Sequence, residues 1–419
     1  MLEKKLVPKL RFSEFDGVWL YKKYNQIYTF YTTNSFSRDN LNYEGGDVKN
    51  IHYGDIHTKF ATLFNITKEK VPFVNGEIDL SKIKEQNFCK EGDLLIADAS
   101  EDYMDIGKTI EIIYLNDQRL ISGLHTFHAR PNKYNMAIGF SGYLLQSWKV
   151  RKQVMTIAQG TKVLGLATTR LGNVDLIITS TPEQQKIASF LTEVDTKLSQ
   201  LTKKKALLEN YKKGVMQQIF SQEIRFKDDD GNDYGDWEEK KLGTICNYKN
   251  GGSFESYVSD EGSYNLISLN SLDISGKLKA VHKRVTIDDN SLNKGDLVMV
   301  LSDVAHGYFL GLTDIIPNDT FVLNQRMGAL KPKIDINRYY LKTYINFSQK
   351  YFKLMGQGSS QQNLSKGDIL NFNVKLPSIE EQTKIANFLS ELDTKIEVLS
   401  KSIENTQYFK KGLLQQLFV

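Results

Sequence analysis

Loops rich in polar side chains are the features of this sequence that could bind a ligand. Arginine, lysine, asparagine, glutamine and aspartate can form hydrogen bonds with base edges, and glycine-containing turns allow close approach to a phosphate. Such loops separate short apolar runs along both halves of the chain. The competing interpretation is that most of these side chains are only solvated, because any surface loop contains the same residue types. The predicted DNA contacts are Ser35, Arg38, Asn40, His52, Tyr53, Asp55, His57, Lys59, Gln159, Thr161, Ser253, Tyr257, Gln325, Arg326, Gln357 and Ser359.

Patterns that would indicate catalysis or metal binding are incomplete. All seven prolines are isolated, so the sequence lacks the Asn-Pro-Pro-aromatic motif that presents an adenine amino group to a methyl donor. The Gly-Lys-Thr sequence at 107–109 resembles the end of a phosphate-binding loop, but Asp102 stands where the first glycine of that loop is required. His125 and His128 have the spacing of a metal pair, yet Arg326 stands opposite His125 in the second half. We therefore expect a non-catalytic chain that holds no metal and no cofactor of its own.

The composition indicates a folded protein of more than one domain. The chain has 419 residues, of which 40% are hydrophobic and 25% are charged, as in ordinary globular proteins. Its formal net charge of +4 is too small to indicate an acidic partner by itself. Cys89 and Cys246 lie far apart, which predicts neither a disulfide framework nor a zinc cluster. The sequence shows no signal-peptide pattern and no apolar run of about 18 residues, so we expect a cytoplasmic protein.

An internal repeat organises the sequence. Residues 183–220 align without a gap on residues 381–418, and 19 of the 38 aligned positions are identical. Weaker similarity extends upstream, where Gln-Gly-Thr at 159–161 corresponds to Gln-Gly-Ser at 357–359. The chain is therefore a tandem of two units, and each unit is a variable portion followed by a strongly repeated one.

The repeated segments have the pattern of coiled-coil helices. Apolar residues recur at alternating spacings of four and three, which keeps one stripe facing a partner helix. Thr181, followed by a proline, predicts a helix start with Gln184 at the capping-box position, and Ser378 begins a second capping box. Gly214 and Gly412 interrupt good helix formers and suggest a bend or a close helix contact. The predicted seam consists of Ile187, Leu191, Val194, Leu198, Leu201, Leu208, Val215, Ile219, Ile385, Leu389, Leu392, Ile396, Leu399, Ile403, Leu413 and Leu417.

The order of the segments limits how these helices can pair. The first helix leaves one variable domain and leads to the next, so the second can bury its stripe on the first only by running antiparallel to it. Pairing with a second chain is the alternative. Lys212 and Lys410 occupy seam positions near the ends of the pair, where their ammonium groups can reach water. The predicted fold class is α/β, with two variable α/β domains separated by an antiparallel two-helix coiled coil in a pseudo-twofold tandem repeat. The predicted boundaries are 1–181, 182–221, 222–377 and 378–419.

Four segments together carry a resemblance to a known family. The helices open on Thr-Pro-Glu-Gln-Gln-Lys-Ile-Ala at 181–188 and on Leu-Pro-Ser-Ile-Glu-Glu-Gln-Thr-Lys-Ile-Ala at 376–386. Each variable domain opens on an Arg-Phe pair followed by a tryptophan, at residues 11–19 and 225–237. With the order of domains and helices, these segments resemble the specificity subunits of type I restriction and modification systems along essentially the full chain. The first helix departs from the usual leucine-proline start by having Thr-Ser-Thr-Pro before it.

The resemblance implies a DNA-binding subunit of a larger complex. The variable domains would be target-recognition domains that read the two halves of a split, asymmetric double-stranded DNA sequence. The helices would hold them apart and bind two methyltransferase subunits, through which ATP-dependent restriction subunits join. S-adenosylmethionine, ATP and magnesium would serve those partners, and no membrane is involved. Two alternatives remain open: a coiled-coil scaffold with protein-binding end domains, and the specificity subunit of a fused methylase and nuclease system.

Overall fold

The chain divides into two compact units. Unit 1 comprises Met1–Lys203 together with Lys401–Val419, and unit 2 comprises Lys204–Ser400. Each unit therefore combines one α/β domain with the beginning of one long helix and the end of the other. This division differs from the predicted one, in which the helical regions stood apart, because the apolar stripes of the helices continue into the domain cores. The computed structural model describes residues 6–132, 136–304, 307–358 and 360–419.

Unit 1 is built from short strands and mostly short helices, with 3-10 turns at Arg38–Asn40 and Glu85–Asn87. Its strands are β1 (Leu20–Lys23), β2 (Tyr28–Tyr31), β3 (Leu41–Asn42), β4 (Val48–Ile51), β5 (Leu63–Asn65), β6 (Phe73–Val74), β7 (Leu94–Ala97), β8 (Ala99–Ser100), β9 (Thr109–Tyr114), β10 (Arg119–Ser122), β11 (Thr126–Pro131), β12 (Leu164–Gly165) and β13 (Asp175–Ile178). Its helices are α1 (Tyr24–Ile27), α2 (Tyr53–Thr58), α3 (Phe140–Gln146), α4 (Trp148–Ile157), α5 (Thr168–Leu171) and the first part of α6 (Thr181–Phe220).

A five-stranded sheet in the order β2-β11-β7-β9-β5 lies at the centre of unit 1. Its strands pair antiparallel except for β5 and β9, which are parallel. The central strand β7 is buried on both faces: Leu94 and Ile96 belong to one apolar cluster, and Leu95 and Ala97 belong to another. A second sheet, β10-β4-β6-β3, lies beside the second cluster.

Unit 2 repeats this plan with its own strands and helices. Its strands are β14 (Glu238–Lys241), β15 (Cys246–Asn250), β16 (Tyr264–Ile267), β17 (Lys283–Val285), β18 (Leu297–Val300), β19 (Ser302–Val304), β20 (Thr313–Ile315), β21 (Phe321–Leu323), β22 (Met327–Pro332), β23 (Gln361–Asn363) and β24 (Asn373–Leu376). Its helices are α7 (Leu242–Ile245), α8 (Arg338–Phe347), α9 (Gln349–Met355), α10 (Lys366–Leu370) and the first part of α11 (Ile379–Gln416). Short 3-10 turns lie at Glu255–Tyr257 and Leu269–Ser271.

The strand pairings of the two units correspond. In each unit the first strand pairs antiparallel with the strand just before the long helix, β1 with β13 and β14 with β24. The central sheet of unit 2 has the order β15-β22-β18-β20, which matches β2-β11-β7-β9 of unit 1. The parallel pair β16 and β21 likewise matches β4 and β10. The α/β class and the tandem repeat thus agree with the sequence prediction. Within the described part of the chain, no helix combines the length and the apolar character needed to cross a membrane.

The long helices α6 and α11 begin within one residue of the predicted starts. Burial along them follows the predicted period: all sixteen seam positions are buried or half-buried, while most positions between them are exposed. The stripes complete the domain cores, because Leu191 shares a cluster with Leu417 in unit 1, and Leu389 shares a cluster with Ile219 in unit 2. The helix segments therefore pair within each unit in antiparallel register, the beginning of one against the end of the other.

Two lysines at seam positions take part in a repeated contact. In unit 1, Lys410 Nζ lies 2.7 Å from Asp195 Oδ1, and Tyr143 donates a hydrogen bond of 2.9 Å to the same carboxylate. In unit 2, Lys212 pairs with Asp393, which also accepts a hydrogen bond from Tyr339. Each group joins a domain to both helices of its unit. The prediction that these lysines only reach out to water was incomplete, because both form ion pairs.

A second repeated contact fixes each domain on the start of its helix. Arg11 binds the buried Glu183 through two hydrogen bonds of 2.8 Å, and Arg225 binds Glu381 in the same way at 3.2 and 2.7 Å. Burial raises the pKa of Glu183, but the hydrogen bonds from Arg11 and Thr179, together with the charge of Arg11, outweigh burial and hold this pKa below its ordinary value. The Arg-Phe pair of the sequence pattern therefore anchors the domain electrostatically.

The predicted capping boxes form only in part. Ser378 Oγ accepts from Glu381 N at 3.3 Å, as expected for a helix cap. The side chain of Gln184 donates to Thr179 O at 2.8 Å and accepts from Ala137 N at 2.9 Å, so it ties the helix to the domain instead of closing its own first turn. Gln382 makes the equivalent pair of contacts in unit 2. Of the two interpretations of the helix glycines, a bend or a close helix contact, the described residues contradict the close contact. A Cβ atom at Gly214 would meet no described atom within 4 Å, and one at Gly412 would make only an ordinary contact.

Candidate nucleic-acid interface

The predicted loops of unit 1 converge on the turn between β10 and β11. Asn34 N and Nδ2 both donate to Ser122 O, at 3.0 and 2.8 Å, and Tyr53 N donates to Leu124 O at 3.2 Å. A Cβ atom on Gly123 would lie 2.2 Å from Asn50 Oδ1, so only glycine allows the loops to pack this closely. The loop at 34–40 and helix α2 therefore meet at one corner of the unit, which we call corner 1.

Aromatic and imidazole rings gather at corner 1. The ring centroid of Tyr53 lies 4.6 Å from that of His52, 5.3 Å from that of His125 and 6.0 Å from that of His57. His125 is also held by Asp98, with Nδ1 3.2 Å from Oδ1, while 54% of its side chain stays exposed. Burial, with the neighbouring charge of Arg38 as the next cause, lowers the pKa of His52. The prediction for His52 is corrected, because its ring is 8% exposed and accepts from Gly54 N at 3.2 Å. His57 Nε2 is likewise 2.9 Å from Ala99 O, so the corner presents mainly the rings of His125 and Tyr53.

A charged group lies next to these rings. Arg38 donates two hydrogen bonds of 2.7 and 2.9 Å to Asp55, and Lys59 Nζ lies 2.9 Å from the same carboxylate. Burial raises the pKa of Asp55, but hydrogen bonds from the two cations outweigh it and the pKa is lowered. Asp55 is fully buried, whereas Arg38 and Lys59 are 44% and 49% exposed. The structure corrects the prediction for Asp55, which orients two exposed cations and does not itself face outward.

The predicted loops of unit 2 meet at the equivalent turn, between β21 and β22. Gly251 N donates to Met327 O at 2.9 Å, and Gly252 N donates to Leu323 O at 3.0 Å. A Cβ atom on Gly251 would lie 1.9 Å from Asn324 O, so this approach also requires glycine. The Gly-Gly loop and the turn at 324–326 form corner 2.

Asn324 connects the two loops of corner 2. Its side chain is buried, accepts from Phe254 N at 3.1 Å and donates to Glu255 Oε1 at 3.0 Å. Lys283 Nζ lies 2.9 Å from the other oxygen of Glu255. Gln325 and Arg326, the next two residues of the turn, are exposed. The corner therefore presents an amide and a guanidinium above a satisfied polar network.

The remaining predicted contacts lie outside these networks. Ser35 and Tyr257 are exposed loop residues, as is Ser253, while Asn40 closes a 3-10 turn by accepting from Ser37 N at 3.0 Å. Gln159, Thr161 and Gln357 are exposed beside Gly160 and Gly358, whose φ angles are 130° and 121°. Because a Cβ on either glycine would lie about 2 Å from a carbonyl oxygen, the repeated Gln-Gly sequence encodes a tight turn. Ser359 lies outside the described residues.

A possible metal cluster is better explained as an ion-pair network. Among the described residues, Cys89, Asp93 and His128 place potential ligand atoms within 4.8 Å of one another. Arg130 already occupies Asp93 with two hydrogen bonds of 2.7 Å, and His128 Nε2 lies 2.7 Å from the same carboxylate. A guanidinium in that position supplies the positive charge, so the residues present do not suit a cation. Likewise, Lys108 of the partial phosphate-loop motif donates to His57 O at 2.7 Å.

His125 is the corner residue that the sequence prediction missed. The sequence suggested only a metal pair or a structural role for it, and the structure instead puts it at the centre of corner 1. The available signal was its alignment with Arg326, a predicted DNA contact. Both residues have left-handed backbones, with φ of 54° and 69°.

Comparisons with known proteins add a family to this geometry. The family model described as type I restriction modification DNA specificity domain matches residues 25–210 and again residues 234–406. A putative type I restriction enzyme MjaX specificity subunit of Methanocaldococcus jannaschii is 23% identical over 373 residues, which cover 82% of this chain and 84% of the relative. The MjaVIII specificity subunit of the same organism is 26% identical over 296 residues, which cover 66% and 68%. The crystal structure of a type I restriction-modification S subunit from M. genitalium has a similar fold, with a TM-score of 0.59, 15% identity and 99% of each chain covered.

Proposed function

Because the chain belongs to the family of type I restriction modification DNA specificity proteins, we propose that its two units are target-recognition domains that each bind one half of a split double-stranded DNA target. Corner 1 and corner 2 are the proposed reading surfaces. Arginine, lysine, glutamine and histidine side chains at these corners are suited to base edges and phosphates. The target is asymmetric, because the two corners carry different residues.

The observation that carries the proposal is that one frame is built twice and carries different side chains at the same corner. The anchors of each domain on its helix recur, as Arg11 with Glu183 and Arg225 with Glu381. The turn before the second strand of the central sheet, β11 or β22, is the meeting point of loops in both units, yet it presents His125 in one and Arg326 in the other. A shared frame with different corner residues is what two independent readers require.

We further propose that methylation and cleavage are carried out by partner subunits. Two methyltransferase subunits bind the long helices and receive S-adenosylmethionine, and ATP-dependent restriction subunits join through them with ATP and magnesium. This chain then contributes recognition and assembly and no catalytic residue.

An exposed repeated segment near the end of each long helix supports methyltransferase binding. Tyr211 and Phe409 occupy the same repeat position, and 53% and 54% of their surfaces are exposed. The Lys-Lys-Gly and Gln-Gln sequences that follow are identical in both copies, and the second lysine and both glutamines of each copy are exposed. The first lysines, Lys212 and Lys410, are instead explained by their ion pairs. Exposed residues repeated at matching positions are not explained by the packing of this chain, but two equivalent partners would require them.

Gly214 supports the same interpretation. Alanine at an exposed helical position is favoured over glycine by about 1 kcal/mol. Nothing described in this chain approaches the site where a Cβ atom would be. Close approach of a partner subunit is a sufficient reason for glycine, and the repeat of this glycine as Gly412 gives one such site in each unit.

Exchange of one domain tests the reading proposal. Residues 10–180 are replaced by the corresponding domain of another specificity subunit, and methylated adenines are mapped in cells that express the methyltransferase partner. One half of the methylated sequence should change, while the other half and the partner requirement stay the same. A simultaneous change of both half-sites would refute independent readers. If the methylated sequence did not change after the domain exchange, the assignment of recognition to this chain would be refuted.

Alanine variants of the helix aromatics test the partner proposal. Phe409→Ala and Tyr211→Ala should each weaken binding of one methyltransferase subunit, measured by titration calorimetry with the purified partner. Tyr408→Ala is the matched control, because Tyr408 is 67% exposed but corresponds to Asn210 in the other copy. Equal effects of Tyr408→Ala and Phe409→Ala would argue against a specific docking segment.

A further inference from the structure

We propose that Arg326 reads the major-groove edge of a guanine in the half-site of unit 2, and that His125 holds the equivalent reading position in unit 1. This inference rests on the proposed function, since it names residues that would carry sequence discrimination. Its starting point is the backbone conformation at one turn of each unit.

Arg326 and His125 both have a left-handed backbone at the same place in the fold. Arg326 directly precedes β22 and His125 directly precedes β11, the strands that stand second across the two central sheets. Their φ angles are 69° and 54°. The left-handed region disfavours most residues with a Cβ atom and is occupied most readily by glycine, followed by asparagine, aspartate and histidine. Glycine would therefore satisfy the turn without strain. Arginine is not one of the residues that favour this region, so its presence at an exposed left-handed position indicates a use for its side chain.

The surrounding contacts fix where these side chains project. Leu301 N donates to Arg326 O at 2.9 Å, and Asp98 N donates to His125 O at 3.1 Å, so the same backbone hydrogen bond locks the turn in both units. Both residues remain exposed. The conformation of each turn is therefore set by the sheet, and the side chain is left to make contacts outside the unit.

The guanidinium of Arg326 is available for such a contact. Within the described residues, its side chain has no hydrogen-bond or ion-pair partner. Glu255, the acidic residue that Asn324 contacts at this corner, is already paired with Lys283 at 2.9 Å. An arginine can donate two parallel hydrogen bonds to O6 and N7 of guanine, which is the commonest specific contact between a side chain and a base. The buried Asn324, two residues earlier, ties the turn to the neighbouring loop through Phe254 N, so the main cost of ordering on binding is that of the arginine side chain.

His125 occupies the equivalent position in unit 1 but offers fewer hydrogen-bonding atoms than Arg326. Its ring lies between Tyr53, with centroids 5.3 Å apart, and Asp98, with Nδ1 3.2 Å from a carboxylate oxygen. The ring is therefore oriented, and its other nitrogen remains to contact a base. Because imidazole offers one such atom and guanidinium offers two, the two units should differ in how strongly this position selects a base.

A modified base tests the contact with Arg326. The reconstituted complex with its methyltransferase subunits is bound to duplexes that carry its mapped methylation target, with each guanine of the second half-site replaced in turn by 7-deazaguanine. At one position the wild-type complex should lose affinity by about ten- to hundredfold. The Arg326→Ala complex should show a loss at least as large on the unmodified duplex, because it loses the contacts to both O6 and N7, and no further loss with the modified base at that position.

Controls separate reading from folding. Arg326→Gly should reproduce the binding loss without lowering the thermal unfolding midpoint, because glycine suits the left-handed backbone. Asn290→Gly, at another exposed left-handed residue of unit 2, should leave base discrimination unchanged. A lower midpoint in Arg326→Gly would assign Arg326 to the fold and overturn the inference.

The other outcomes are equally decisive. Uniform weakening of every duplex by Arg326→Ala would indicate a phosphate contact and refute base reading. Unchanged affinity would refute any contact. Arg326→Ala could instead abolish sensitivity to base changes in the first half-site only. The assignment of corner 2 to the second half-site would then be wrong. If the wild-type complex bound its mapped target sequence no better than an unrelated duplex, the proposed function itself would be refuted.

Discussion

Glu111 gives the structure a testable dependence on pH. This residue of β9 is 1% exposed, and its two carboxylate oxygens accept hydrogen bonds from Gly139 N at 2.7 Å and Gly142 N at 2.6 Å. It therefore caps the first turn of α3, where the residue at the helix start is a glycine without a side chain to do so. Burial raises the pKa of Glu111 to about 7, against the opposing effect of these backbone hydrogen bonds.

The raised pKa of Glu111 determines the direction and the size of the change in folding stability with pH. An acid with an ordinary pKa of 4.5 and a folded-state pKa of about 7 binds its proton more tightly in the folded state. Its stabilising contribution is complete below pH 4.5 and is lost as the pH rises through 7. A tenfold change in an acid constant is worth about 1.4 kcal/mol, so the whole loss is about 3 kcal/mol. About 2 kcal/mol of it falls between about pH 5.5 and pH 8.

The perturbation is Glu111→Gln, which removes the titrating group. Urea unfolding of unit 1 is followed by tryptophan fluorescence in a Trp237→Phe background, so that the remaining tryptophans lie in unit 1. The free energy of unfolding of the parent, relative to that of the glutamine variant, should fall by about 2 kcal/mol from about pH 5.5 to pH 8. Gln184→Ala is the control within unit 1, because its buried amide accepts from Ala137 N at 2.9 Å and does not titrate, so its effect on stability should not change with pH. A parent that instead gains stability relative to Glu111→Gln as the pH rises would show that the backbone hydrogen bonds outweigh burial.

Three further predictions concern the helices. Arg11→Met should lower the free energy of unfolding of unit 1 by about 3 kcal/mol in urea titrations, because it leaves the carboxylate of Glu183 buried without a counter-ion; a loss below about 1 kcal/mol would contradict this. Gly214→Ala should raise the thermal midpoint while weakening methyltransferase binding, and a variant that binds normally would remove the argument for close approach. A chain ending at Phe220 should pair with a second copy, because Lys212 can take the place of Lys410 beside Asp195; strictly monomeric sedimentation would count against this exchange.

The helices were the part of the fold that the sequence predicted best. Their seam depends on spacing within a few residues, and a proline or serine marks each start. What the first turns do could not be predicted, because Glu381 finds its partner Arg225 at a separation of 156 residues and Gln184 finds Ala137 at 47. Local patterns suggested that these side chains cap their own helices, whereas in the structure they form hydrogen bonds with residues of the α/β domains.

The candidate site was predicted as a set of loops but not as two corners. Residue types alone pointed to Arg38 and Arg326, since both can contact bases. They could not show that Asp55 is buried beneath Arg38, because this contact joins residues 17 positions apart, with β3 and β4 between them. They also could not show that His125 shares a left-handed turn with Arg326, because backbone conformation at a loop is fixed by the neighbouring strands.

The division of the chain has a consequence for the order of its synthesis. The core of unit 1 includes Leu413, Leu417 and Phe418, and Phe418 packs with Phe140 at a centroid distance of 5.6 Å. The ribosome makes these residues only after it has made the whole of unit 2. At about 5 to 20 residues per second, the first domain waits roughly 10 to 40 s with an uncovered apolar face. During that time the first domain is a client for chaperones, or for the matching helix of another nascent chain. Domain order along the gene is therefore not the order in which the domains mature.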